Sequence, residues 1–90
     1  MRADKAKVSR LLKTARGQID GILKMVEEDK YCIDILNQIM ASEAVLRRAQ
    51  REVLRAHMEG CVAEAFAHAD EAERAEKIEE IIKTVEKMER

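Results

Sequence analysis

Residues 31–67 read YCIDILNQIMASEAVLRRAQREVLRAHMEGCVAEAFA, and the architecture follows from this stretch. It contains no proline, and Gly60 is its only glycine, tolerable inside a helix at a cost of about 1 kcal/mol. Ile35, Ile39, Leu46, Ala49, Val53 and Ala56 recur at helical spacing and mark one apolar stripe. A helix of this length would run about 54 Å, roughly twice what a compact monomer of this size can cover. A helix that outruns its own domain is expected to pack against a second chain.

The flanking segments carry the same pattern. Upstream, Val8, Leu12, Ala15, Ile19, Ile22 and Val26 alternate at steps of four and three, the seam of a helix packed on other helices. That helix is expected to end near Glu28-Asp29-Lys30, with Asp29 as N-cap of the long helix. Downstream, His68-Ala69-Asp70-Glu71 reads as a turn, and a third helix buries Ile78, Ile81, Ile82, Val85 and Met88. The expected fold is all-α: one domain over residues 1–90, a three-helix protomer with a long middle helix. Two such protomers are expected to form an antiparallel four-helix-bundle dimer, which can pair again into a tetramer.

Composition excludes the competing classes. Among 90 residues there are two cysteines, two aromatics and no proline. That is too few cysteines for a disulfide scaffold and too few turn residues for a barrel or sandwich. No apolar run reaches the ~18 residues of a membrane span and no signal-peptide pattern opens the chain, so a soluble cytoplasmic protein is expected. Nor is there a Ser–His–Asp set, a pair of carboxylates or a phosphate loop, and neither enzymatic activity nor a small-molecule substrate is expected. The net charge of −1 hides a gradient: residues 1–24 carry +5, and residues 57–90 carry −5. Segregation of this kind points to a basic surface for a polyanion.

Cys32, His57 and Cys61 are the chemistry-bearing residues. His57 and Cys61 stand four apart on one helix face. Cys32 lies twenty-nine residues before Cys61, which at ~100° per residue is eight turns plus ~20°, so it points the same way. Along one helix the two sulfurs are ~43 Å apart, beyond any shared bond. If two copies cross head-to-tail about a dyad near Val45-Leu46, Cys32 of one chain comes beside His57 and Cys61 of the other, giving two sites per dimer. Two thiolates and one imidazole suit Cu(I), whereas zinc ordinarily takes a fourth ligand.

At these residues the sequence resembles the copper-sensing repressor (CsoR-like) family, which is related to nickel/cobalt- and formaldehyde-sensing repressors. The resemblance rests on Arg16-Gly17-Gln18-Ile19-Asp20-Gly21-Ile22, Tyr31-Cys32, Gln38-Ile39 and His57-Met58-Glu59-Gly60-Cys61, and it spans nearly the whole chain. It implies a metal-sensing, DNA-binding domain that holds an operator and releases it when Cu(I) binds at Cys32, His57 and Cys61 across the dimer interface. It further implies that Tyr31 and Glu80 link the histidine to the change in DNA affinity. For DNA contacts it points to Lys13, Arg16 and Arg48. The spacing adds Arg51 and Arg55 in a stripe with Arg48, Arg47 at its flank, and Arg10 one turn before Lys13. No helix-turn-helix is visible, so phosphate contacts are expected to dominate. Two rival readings remain open: a persulfide-sensing repressor acting through a Cys32–Cys61 cross-link between subunits, and a cytoplasmic copper buffer with no DNA role.

Overall fold

The computed structural model describes all residues except Ala69 and Arg90, with Cys61 and Val62 described by their backbone alone. The regular elements of the described residues are all helical: α1 (Lys5–Glu27), α2 (Cys32–His57), a π-helical turn (Met58–Val62), α3 (Ala63–His68) and α4 (Glu71–Met88). The segment α2–π-turn–α3 is one continuous rod, so three rods make up the protomer.

Helix α1 starts where Asp4 accepts hydrogen bonds from the backbone N–H groups of Ala6 (3.0 Å) and Lys7 (3.2 Å), two donors that otherwise lack an intrahelical partner. Asp70 does the same for α4, accepting from the Glu73 N–H at 2.9 Å. The expectation for Asp29 is corrected. It caps nothing at α2, whose N-cap is Tyr31 with no side-chain hydrogen bond. Instead Asp29 sits in the left-handed region at φ 52° and closes α1. Its N–H donates to the Val26 carbonyl at 3.1 Å, and the Lys30 N–H donates to the Met25 carbonyl at 3.0 Å. That paired pattern is the Schellman termination, whose left-handed position ordinarily holds glycine. Asp29→Gly is therefore expected to stabilise the fold by about 0.5–1 kcal/mol, raising the thermal midpoint by about 2–8 °C, as read by circular dichroism. An unchanged or lowered midpoint counts against this account.

Helices α1 and α2 pack side by side through small residues. Val8 and Ala15 of α1 and Ser42, Val45 and Ala49 of α2 are buried, with Ala15 only 2% exposed. The Ser42 hydroxyl donates back to the Gln38 carbonyl at 3.3 Å, satisfying itself within its own helix. The other half of each predicted seam is not buried in the protomer. Leu12, Ile19 and Val26 of α1 and Ile39, Leu46 and Val53 of α2 are exposed. On α4, Ile81 and Met88 are half-buried while Ile78, Ile82 and Val85 are exposed. The reason is geometric, since the protomer measures 58 × 27 × 13 Å and is one helix thick. A single layer can bury only the flanks of its helices against each other and leaves a broad face open. Its accessible surface of 7031 Å² exceeds the roughly 5,400 Å² of a compact monomer of this mass. Its radius of gyration of 17.8 Å likewise exceeds the ~12 Å of a compact domain of this length.

The π-turn was not legible in the periodicity. It falls on the rod's one glycine, Gly60, where α-helical preference is weakest. Because a π-turn accommodates one extra residue, it rotates α3 by about 100° relative to an unbroken α-helix.

Candidate metal centre and basic flank

His57 is the last residue of α2, and its side chain is 35% exposed. It lines a cleft of about 660 Å³ between α1, α2 and α4, walled by Val8, Leu12, Val53, Ile81 and Met88. Across this cleft its Nε2 lies 3.5 Å from Glu80 Oε1 on α4. Glu80 is thus the α4 carboxylate that meets the histidine. With Nε2 turned to Glu80, Nδ1 is the nitrogen left for another partner. Gln50, Thr84 and Lys87 also edge the cleft, and the Thr84 hydroxyl bonds back to the Glu80 carbonyl at 2.8 Å. The resemblance implied Glu80, whereas spacing alone marks out none of the several carboxylates on α4; that this one reaches the histidine depends on how α4 folds back.

Cys32 opens α2 as an exposed free thiol, and Tyr31 precedes it, also exposed. Both therefore stand at the opposite end of α2 from His57, about 38 Å along the axis. The protomer brings His57 to Glu80 but brings neither Tyr31 nor Cys32 to them. Cys61 lies on the π-turn directly after α2, and its side chain is outside the described residues. Since a π-turn closes from residue i to i+5, the backbone at 61 returns close to the side of 57. Among the described residues of one protomer, no three His, Cys, Asp or Glu side chains converge to hold a metal ion.

The basic residues separate into two groups. Arg48, Arg51 and Arg55 of α2 face Lys7 of α1 across a cleft of about 600 Å³. An adjoining one of about 300 Å³ joins Arg10 and Thr14 of α1 to Arg48. Arg10 and the α2 stripe therefore form one flank. Lys13 and Arg16 are exposed on α1 and line neither cleft. Among the described residues, Arg10, Lys13, Arg16, Arg48 and Arg51 make no ion pair, whereas Arg47 pairs with Glu43 at 3.7 Å and Arg55 with Glu59 at 3.2 Å. Two participants escaped the sequence reading. Lys7 sits three residues before Arg10 on the same face, a usable signal. It reaches across to Glu52 at 2.9 Å, a carboxylate inside the basic flank that nothing local marks out. No described helix is long and apolar enough to cross a membrane.

Residues 4–87 match the family described as metal-sensitive transcriptional repressor. The chain is 43% identical over 76 residues to the copper-sensing transcriptional repressor CsoR of Mycobacterium tuberculosis, covering 82% of this chain and 60% of that protein. It is 35% identical over 80 residues to CsoR of Bacillus subtilis, covering 89% of this chain and 79% of that protein. Relative to two of the mycobacterial proteins it matches, from Mycobacterium ulcerans and Mycobacterium bovis, it spans 46% and 60% of their length. Among solved structures it is similar to the copper-sensing repressor CsoR with Cu(I) from Geobacillus thermodenitrificans, with a TM-score of 0.84 and 32% identity over 100% of this chain and 94% of that one. It is also similar to the nickel-responsive transcriptional regulator InrS, with a TM-score of 0.80 and 26% identity over 93% of this chain and 94% of that one.

Proposed function

This chain belongs to the metal-sensitive transcriptional repressor family, a class of regulators and not of enzymes, and from that membership we propose that it is a cytoplasmic repressor that releases operator DNA on binding Cu(I). The same fold serves a copper sensor and a nickel-responsive relative, so architecture does not choose the metal and the donor set must. Two soft thiolates and one imidazole favour Cu(I) over Ni(II), which prefers more nitrogen and oxygen.

The observation that carries the proposal is the contact between His57 and Glu80 at one end of a rod whose other end holds Cys32. One protomer cannot complete a site from residues so far apart. A second copy laid head-to-tail on the open face brings Cys32 of the partner subunit to His57 and Cys61, and it covers the exposed Leu12, Leu46 and Val53 as well. Cu(I), when bound there, supplies a positive centre that fixes the imidazole and draws charge from it. His57 would hold the ion through Nδ1 and, with Nε2 protonated, donate to Glu80, so α4 is positioned by a hydrogen bond that metal binding strengthens. Helix α4 is suited to be moved, because none of its described residues is fully buried. The basic flank of Arg10, Arg48, Arg51 and Arg55, with Lys13 and Arg16 beside it, would bind operator phosphates. Tyr31 would join the site from the partner's side with Cys32.

The test is an anaerobic Cu(I) titration of the protein bound to its own upstream DNA, followed by anisotropy. Release with a coupling of about 1–3 kcal/mol is expected; equal DNA affinity with and without Cu(I) rejects the proposal. His57→Ala is expected to abolish that coupling while Cu(I) remains bound by the two thiolates. Release by a persulfide donor without any response to Cu(I) would instead favour Cys32–Cys61 cross-linking, and absence of DNA binding would favour a copper buffer.

A further inference from the structure

The residues ahead of α1 do not trail into solvent. Ala3 is 9% exposed and Asp4 is tied down as the α1 cap. Arg2 then reaches across to the far end of the long rod. Its aliphatic stem lies over Gly60 so closely that a Cβ added there would stand 3.2 Å from Arg2 Cδ and 3.4 Å from Cγ. Beyond that point its guanidinium bonds the Glu64 carboxylate on α3. A single side chain thus crosses the π-turn, passing over Gly60 and anchoring one turn later. A side chain at Gly60 would press on the arginine stem, which would have to shift by a few tenths of an ångström. This contact joins residues 62 apart in sequence at the one place where the rod departs from α-helical geometry.

We propose that the N-terminal residues act as a strap over the π-turn, with Arg2, resting on Gly60 and tied to Glu64, as a positioning residue for the backbone that carries Cys61. This rests on the reading of Cys61 as a metal ligand. A ligand on a π-turn can swing by the rotation that separates π from α geometry, and a strap that favours one form pre-pays part of the ordering that metal binding requires. The tie is an exposed ion pair with side chains about half accessible, so its effect is modest and reversible. It biases the turn without being needed for folding.

Two substitutions cut the strap from opposite ends, Arg2→Ala and Glu64→Gln, and the second leaves every positive charge in place. In the metal-free protein, amide exchange over residues 58–64 is expected to rise about two- to fivefold in each variant. Cu(I) affinity, measured by competition with a chromophoric Cu(I) chelator, is expected to fall by the same factor. The double variant should fall no further than Arg2→Ala alone, because that change already removes the partner of Glu64. The charge-reversed pair Arg2→Glu with Glu64→Arg should restore the part of both readouts that comes from the ion pair, bringing them back towards wild type from the Glu64→Gln level. Unchanged exchange in both single variants overturns the strap, and raised exchange with unchanged Cu(I) affinity overturns its positioning role. A wild-type protein that binds no Cu(I) would overturn the functional reading instead, leaving the strap itself to the exchange measurement.

Discussion

Leu46→Glu is expected to convert the protein to monomers at micromolar concentration, with loss of Cu(I) binding at the proposed Cys32–His57–Cys61 site. Leu46 lies near the midpoint of the long rod on its open face, next to the dyad that head-to-tail pairing requires. Burying a leucine there contributes about 1.5–3 kcal/mol, and symmetry counts it twice. The variant also brings two carboxylates together near the dyad in an apolar setting, adding repulsion and desolvation. A total loss near 6 kcal/mol corresponds to a weakening of more than about 10⁴-fold in dimer affinity. Sedimentation equilibrium reads the outcome directly. The monomer should also melt at lower temperature, because one helical layer has little core of its own. A Leu46→Glu protein that keeps the wild-type mass would show that the open face is covered in some other way.

The second large effect is the salt dependence of DNA binding. If the assembly engages six to ten phosphates, affinity should fall by about 10³–10⁵-fold between 50 and 200 mM salt. Arg48→Ala and Arg51→Ala should each weaken binding nearly uniformly across DNA sequences and flatten the logarithmic salt slope by about one for each phosphate left without its cation. Both residues are chosen because neither is held in an ion pair among the described residues. Glu52→Gln should do the opposite, since it frees Lys7 from the 2.9 Å pair and removes a negative charge from the flank. A flat salt profile in fluorescence anisotropy would reject phosphate binding by this surface.

The Arg-Gly-Gln-Ile-Asp-Gly run contributed to the resemblance, yet the protomer explains little of it. Among the described residues, a Cβ at Gly17 or Gly21 would meet no neighbouring atom within 4 Å, so none of them requires glycine there. Gln18 leaves its side-chain oxygen buried without a partner among the described residues.

Periodicity alone determined that this chain forms three helical rods, since a 3.6-residue repeat of apolar side chains is a local property of the sequence. It also determined where His57 and the arginine stripe fall along the long rod, because spacing on a straight helix is fixed by rise and turn. Three features were decided only in the folded structure. Asp29 terminates one helix instead of starting the next, a choice between two nearby hydrogen-bonding arrangements. The rod widens into a π-turn at Gly60, over which the stem of Arg2, distant in sequence, passes closely. Glu80, which the family resemblance named but which periodicity does not distinguish from the other acidic residues of α4, meets His57 because α4 folds back across the cleft. Each depends on groups that sequence separation keeps apart and packing brings together, and such encounters leave no mark in a local repeat.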